Sequence, residues 1–507
     1  MITTTNPRTG VSFPIDVDVT SDADVALITE RSRDAAPALS AMDRGDRARL
    51  LDGIAQRLDE QRELLVDTAE AETGLGFPRL NAELSRSIFQ FRLFADSVRE
   101  GSYLEAIIDH AGETVLGPGP DLRRMLIPLG PVAVFGASNF PFAFSVLGGD
   151  TASALAAGCP VVLKAHSSHP LTSLYSFEAI STAARSFDAP EGTLGIVFGQ
   201  TAGSRLVADP RIKAVSLTGS LHAAQALQEI INKRKEPIPL YGELSSLNPL
   251  VVTKGAAVTR ADSIAEGLFA SFTASGGQLC TKPGIAFVPS GAAGEKIMDG
   301  LLQRVAKASG SVMLNERIRD AFEKISARLQ SGGAAIAARA EIVGESTGFV
   351  APPILLTIDA GDVTAAVAEE CFGPLLVVAR YESTHELVGA LQRMPKSLTS
   401  TVHADEDEDE DGLLSELTRE LIPLSGRLVY NGFPTGVRVS WAQHHGGPWP
   451  STNSNHTSVG VTATRRFLRP FVWQDAPDHL LPKELREGPI DIPRRIDGIL
   501  HLASPSR

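Results

Sequence analysis

The sequence predicts an α/β protein built on a doubly wound parallel sheet, and three observations carry that expectation. Short β-branched runs recur from Pro131 onward: VAVF (132–135), VVLKA (161–165), GIVF (195–198) and AVSL (214–217), followed by IPLYGEL (238–244). Segments of 15 to 30 residues separate them, several of helical texture, so strands alternate with crossovers long enough to return in parallel. At 507 residues the chain is also too long for one hydrophobic core, which predicts two or three domains.

Taken in chain order, Leu50, Leu51, Ile54, Leu58, Leu64 and Leu65 recur at helical spacing and predict a helix over about 47–72, with another over about 80–98. The most apolar stretch, Pro131 to Leu163, holds one charged residue, Asp150. Gly136, Pro141, Gly148, Gly149, Gly158 and Pro160 cut it into strand- and helix-sized pieces, so it reads as buried core rather than a membrane span. The stretch 221–233 predicts a further helix. A second α/β region begins near Asn248 and includes the strand-like runs LTSTVHA (398–404) and GRLVYNGFP (426–434). Seven consecutive acids, Asp405 to Asp411, precede Leu413 and Leu414 and read as a solvated loop and helix start rather than a cation site.

Composition narrows the partners. A net charge of −13 argues against a nucleic-acid groove or an anionic membrane surface. Three cysteines, Cys159, Cys280 and Cys371, form no disulfide framework and suit a reducing, cytoplasmic setting, and the N-terminus MITTTNPRTG has no signal-peptide pattern. No His/Cys/acid group has metal-ligand spacing, so no metal site is expected.

Four segments carry candidate chemistry. GGQLCTKPG (276–284) sets Cys280 among small, flexible residues, with Lys282 near enough in sequence to help stabilise a thiolate. Glu243 ends an apolar strand in YGELSSLNP (241–249), Asn139 follows a strand in FGASNFPF (135–142), and Lys164 ends another in VVLKAHSSHP (161–170). Singly, each has an ordinary role: Cys280 as filler, Glu243 as a surface carboxylate or cap, Asn139 as a turn residue, Lys164 as a snorkelling charge. Jointly they do not. Asn139, Lys164, the turn Thr218-Gly219-Ser220 and Glu243 all fall at the C-terminal ends of predicted parallel strands, the edge where doubly wound sheets bind ligands.

These segments resemble the aldehyde dehydrogenase superfamily from about Asn6 to Pro482. The matches are GASNFPF, VVLKAHSSHP, LTGS (217–220), GEL with Glu243, GQLCTKPG with Cys280, and EECFGP (369–374), in the family's order. The run starting DLRRMLIPLG at Asp121, together with PIPLYGELSSLNP, NGFPTGV (431–437) and HHGGPWPST (444–452), resembles the NADP-dependent α-ketoglutarate semialdehyde dehydrogenases, with bacterial fatty aldehyde dehydrogenases as near neighbours.

The resemblance implies Cys280 as nucleophile, Asn139 with the Cys280 N–H as oxyanion donors, and Glu243 as base for hydrolysing a thioester. It implies NADP, with NAD also allowed, because Ser167 stands where NAD-preferring relatives often carry a glutamate that would repel a 2′-phosphate, and Lys164 can pair with that phosphate. Gly219 and Ser220 are expected at the pyrophosphate, Glu370 at the nicotinamide ribose and Phe372 as the adjacent wall. His445 is expected to help proton transfer or cofactor binding or to order its loop; Phe142, Phe272 and Trp441 are candidate channel walls. Arg438 and Arg124 are candidates for a substrate carboxylate, Arg205 for a phosphate contact. A Rossmann-type cofactor domain (1–110 and 131–245), an α/β catalytic domain (246–470) and a small oligomerisation element (111–130 and 471–507) are expected, in a homodimer or homotetramer acting on a small-molecule aldehyde.

Overall fold

The computed structural model describes residues 1–342, 347–405, 408, 412–489 and 491–503. Its first sheet is wholly parallel and runs in the order Leu240–Glu243, Ala214–Thr218, Val132–Phe135, Val161–Lys164, Leu194–Val197. Alternation along one strand explains why it reads as continuously apolar. Val132 and Val134 enter one core with the helices Arg44–Glu60, Phe77–Glu100 and Gly149–Ala157, while Ala133 and Phe135 enter another with Gln200–Ala208 and Leu221–Asn232. Both faces are covered, so no position is left for water.

The helix expected over 47–72 is two helices, Arg44–Glu60 and Arg62–Thr73, broken at Gln61 (φ −99°, ψ 12°). Leu64 is consequently 46 % exposed while Leu65 is buried. The next helix, Phe77–Glu100, contains the expected 80–98 and stops at Gly101 in the left-handed conformation.

A second sheet, in the order Ala335–Arg339, Ile354–Asp359, Leu375–Tyr381, Ile285–Pro289, Leu250–Val252, Ser397–His403, Ser425–Tyr430, is parallel except for its first strand. A third gathers Leu468–Gln474, Leu122–Pro128, Ala106–Asp109, Arg494–Ile496 and Ile499–His501. Ala106–Asp109 joins it by antiparallel pairing with Leu122–Pro128, ahead of the boundary expected at residue 110. Of the acidic run, only Asp405 and Glu408 lie within the described residues. The Glu408 carboxylate accepts hydrogen bonds from the Gly255 N–H (2.7 Å) and the Thr253 hydroxyl, so it caps the helix Lys254–Thr273. Among the described residues no helix is long and apolar enough to cross a membrane.

Candidate active site

Register fixes the site. Thr218 lies beside Glu243, Leu217 beside Phe135 and Phe135 beside Lys164, so the predicted strand ends form one edge. The loop leaving Phe135 carries Asn139 and is held by a partly buried ion pair on the helix Phe77–Glu100. Arg79 Nη1 meets Glu83 Oε2 at 2.6 Å, Glu83 Oε1 accepts the N–H groups of Phe142 (2.8 Å) and Ala143 (2.9 Å), and Arg79 Nη2 donates to the Asn139 carbonyl (2.7 Å). Buried Asn139 donates one amide N–H to the Gln278 carbonyl at 2.8 Å, leaving its other N–H for a ligand.

The segment bearing Cys280 turns through Ser275, Gly276 and Gly277, all with positive φ (52°, 64° and 68°). A Cβ on Gly277 would stand 2.1 Å from the Gly373 carbonyl, so only glycine lets the EECFGP loop pack here. Beyond the turn, Asn248 Nδ2 donates to the carbonyls of Cys280 (2.8 Å) and Lys282 (2.9 Å), locking the backbone on either side of Thr281. The sulfur is thereby held half-buried at the crevice, whereas Cys159 and Cys371 are free but buried.

Cys280 Sγ lies 3.5 Å from His445 Nε2, the same nitrogen lies 2.8 Å from Glu243 Oε1, and the Ser458 hydroxyl donates to Glu243 Oε2 at 2.6 Å. The loop that brings His445 and Ser458 doubles back on itself: the His445 N–H donates to Thr457 Oγ1 (2.8 Å) and the Ser458 hydroxyl to the His445 carbonyl (3.1 Å). Thr452 on the same loop bridges to Glu243. Burial and then the charge of Glu243 push the Cys280 thiol well above its ordinary pKa. Burial alone would raise Glu243 too, but His445 and the hydrogen bonds from His445, Ser458 and Cys280 hold it below the usual carboxylate value. The site therefore stores a carboxylate and a thiol, with one imidazole nitrogen between them.

Of the expected cofactor residues, Lys164 ends a strand at this edge and Gly219 and Ser220 follow Thr218 there. Ser220 caps the helix Leu221–Asn232 by accepting from the Ala223 N–H (3.2 Å), and Gly219 donates its N–H to the Glu243 carbonyl (3.0 Å). The Leu221 N–H makes a long contact to Ser245 Oγ (3.5 Å), and the positive end of the helix favours an anion. Lys164 is largely buried and lowered in pKa first by burial and then by the charge of Arg317. Ser167 is exposed next to it. Arg317 reaches the group because Asn315 Nδ2, at the start of the helix Glu316–Ser331, donates to Ser168 Oγ (2.8 Å). Glu370 accepts the Ser246 N–H (3.1 Å), and burial pushes its carboxyl up to about 7 against the opposing charge of Lys282. Phe372 follows, half-buried, on the same loop. These cations, the helix N-terminus and an acceptor for hydroxyls fit a dinucleotide phosphate.

Several sequence expectations are corrected. Lys282 turns away from the sulfur: it is buried and donates from Nζ to the Leu375 carbonyl (2.8 Å) near Glu370. Phe142 and Phe272 are fully buried in hydrophobic cores and Trp441 is about half exposed; Phe144 stands beside the site, with its ring 6.2 Å from that of His445. Arg124 faces Glu105 on the third sheet (3.8 Å), Arg205 pairs with Asp22 (3.2 Å), and Arg438 is exposed on its loop. Sequence reasoning missed Ser458, Asn248, Arg317 and Arg86. Arg86 projects from the helix Phe77–Glu100 over the Phe144 ring (5.5 Å to the centroid) and donates from Nη1 to the Val437 carbonyl (2.5 Å), while its buried Nε and Nη2 have no hydrogen-bond partner among the described residues.

A profile of the aldehyde dehydrogenase family matches residues 1–446. The chain is 42% identical to alpha-ketoglutaric semialdehyde dehydrogenase 2 of Azospirillum brasilense, over 96% of this chain and 94% of that protein. It is 39% identical to the alpha-ketoglutaric semialdehyde dehydrogenase of Acinetobacter baylyi, over 90% and 87%. Its fold is similar to that of aldehyde dehydrogenase 21 from Physcomitrella patens, solved with succinate (TM-score 0.78, 22% identity, 93% of this chain and 94% of that one). It is also similar to glyceraldehyde-3-phosphate dehydrogenase GapN from Methanocaldococcus jannaschii, solved with NADP (TM-score 0.79, 16% identity, 94% and 98%).

Proposed function

The chain belongs to the aldehyde dehydrogenase family, and on that premise we propose that it oxidises α-ketoglutarate semialdehyde to 2-oxoglutarate with NADP, through a thioester on Cys280. The observation that carries this reading is the meeting of Cys280, His445 and Glu243 at the strand edge, with Asn139 adjacent.

The reaction follows from the groups present. Because the thiol is held protonated, attack on the aldehyde carbon requires a base: with the imidazole proton shifted from Nε2 to Nδ1, His445 Nε2 at 3.5 Å takes the thiol proton as the carbon–sulfur bond forms. Glu243, at 2.8 Å, stabilises the resulting imidazolium. The free Asn139 N–H and the Cys280 N–H donate to the alkoxide. NADP, when bound, supplies the hydride acceptor. Loss of hydride from the Cys280 adduct leaves a thioester, and Glu243, oriented by Ser458, draws a proton from the water that hydrolyses it.

Arg86 supports a substrate with a distal carboxylate. A buried guanidinium short of two acceptors is costly alone and favours an anion beside it. In a panel of aldehydes run with NADP and NAD in parallel and followed by cofactor reduction, the five-carbon oxo-acid semialdehyde with NADP is expected to give the highest kcat/KM. Arg86→Leu is expected to raise KM for that aldehyde about 10- to 100-fold, one charge-assisted contact contributing about 1.5–3 kcal/mol, and to leave hexanal unaffected. Equal loss for both aldehydes would reject the carboxylate role. A wild-type preference for long aliphatic aldehydes would favour the fatty aldehyde reading instead.

NADP over NAD is supported by Lys164 and Arg317, which stand near Ser167 with no carboxylate partner among the described residues. Glu370 adds a pH dependence. Its carboxyl is raised to about 7, so it is neutral below that pH and ionised above. An ionised carboxylate accepts ribose hydroxyls better, so the KM for cofactor is expected to climb as pH falls through neutrality, and to be flat in Glu370→Gln. A steep rise persisting in that variant would assign the titration elsewhere. The third sheet supports self-assembly: its two edge strands and the hairpin spanning Gly112–Gly119 expose Val115, Leu116, Val472, Ile499 and Leu500.

A further inference from the structure

Three donor atoms from distant parts of the chain converge at the crevice: the sulfur of Cys280, Nε2 of His445 and a carboxylate oxygen of Glu243, all within 4.8 Å of one another. Thiolate, imidazole and carboxylate are the ordinary donor set for zinc, at bond lengths of about 2.3, 2.0 and 2.1 Å, which in a tetrahedron place the donors about 3.4–3.6 Å apart. The sulfur–nitrogen separation is already 3.5 Å; the nitrogen–oxygen separation, 2.8 Å, has to open by about half an ångström. We propose that this cluster is an inhibitory Zn2+ site, in which one ion held by Cys280, His445 and Glu243 blocks the nucleophile and leaves its fourth position toward the crevice.

Charge favours the ion. Binding breaks the Cys280 S–H bond, releases that proton to solvent and changes no oxidation state, so a dication meets a thiolate and a carboxylate and the buried complex is neutral. The Ser458 hydroxyl already holds the other Glu243 oxygen at 2.6 Å and orients the ligand. Two features make the ion releasable. His445 Nδ1 is buried with no hydrogen-bond partner among the described residues, so moving the imidazole proton there to free Nε2 leaves that N–H unsatisfied. One coordination position also stays open, unlike a closed structural site. The chemistry selects Zn2+ and Co2+ over Mg2+, which demands oxygen ligands.

The test uses the full chain without substrate or cofactor, so it reads metal binding whether or not the proposed oxidation is correct. Titration with Co2+ is expected to saturate at one ion per chain, with a sulfur-to-cobalt charge-transfer band and tetrahedral d–d bands, and Zn2+ is expected to displace it. Cys280→Ser is expected to lose the charge-transfer band, and His445→Ala and Glu243→Gln to weaken binding at least about tenfold, the loss of one ligand. In the wild type, Zn2+ is expected to abolish alkylation of Cys280 and any aldehyde oxidation, with both returning on chelation, and Mg2+ is expected to do neither. The proposal is overturned if the wild type binds no Co2+ or Zn2+, or if all three variants, checked as folded by circular dichroism, bind it as tightly as the wild type.

Discussion

Cys280→Ala is expected to lower turnover by more than about four orders of magnitude, because removing a nucleophile leaves only binding and the oxyanion donors. Structure and cofactor affinity are expected to be unchanged. The sulfur is half-buried and its polar side-chain contacts are His445 at 3.5 Å and a hydrogen bond to Glu243, whereas the His445–Glu243 pair at 2.8 Å does not need it. Steady-state kinetics and cofactor fluorescence titration separate the two effects. Alkylation gives the complementary result: Cys159 and Cys371 are buried, so one equivalent of iodoacetamide is expected to modify Cys280 and remove activity in parallel. Turnover within about tenfold of wild type in the alanine variant would place the chemistry elsewhere.

Asn139→Ala is expected to lower kcat about 10²- to 10³-fold, the usual effect of removing one oxyanion donor, about 2.7–4 kcal/mol of transition-state stabilisation. This residue also has a structural bond, its amide donating to the Gln278 carbonyl at 2.8 Å. Loss of that bond costs about 1–3 kcal/mol of stability, so Tm is expected to fall by only a few degrees. The two roles are distinguished by the cofactor: Glu83 and Arg79 still anchor the loop through the backbone of Phe142, Ala143 and Asn139, so cofactor affinity is expected to hold while kcat collapses. A variant with near-normal kcat and reduced Tm would mean that Asn139 serves only to brace the turn.

Much of the strand edge was legible in the sequence because local signals determine it. Alternation within VAVF and VVLKA marks strands covered on both faces, and parallel topology then sends Asn139, Lys164 and Glu243 to one side. The cluster of Cys280, His445 and Glu243 was only partly legible. His445 and Ser458 lie 202 and 215 positions beyond Glu243, and their approach depends on a doubled loop whose hydrogen bonds leave no periodic trace. Lys282 shows the opposite failure: closeness in sequence suggested a partner for the sulfur, but the Asn248 clamp on the carbonyls of Cys280 and Lys282 lets the lysine turn to Leu375. Phe142 and Phe144 differ by two positions, yet one enters the core and the other faces His445; an irregular loop has no period from which to read that choice. Arg86 was hidden because an arginine on an amphipathic helix ordinarily meets water.

The measurement that tests the central claim most directly is intact-protein and peptide mass spectrometry of Glu243→Gln, quenched in acid after mixing with NADP and α-ketoglutarate semialdehyde. Hydrolysis is slowed there while attack and oxidation remain, so an acyl group of the acid's mass is expected on the peptide containing Cys280, formed with a burst of reduced cofactor of one equivalent per site. Cofactor reduction without any adduct, or an adduct on Cys159 or Cys371, would contradict the account.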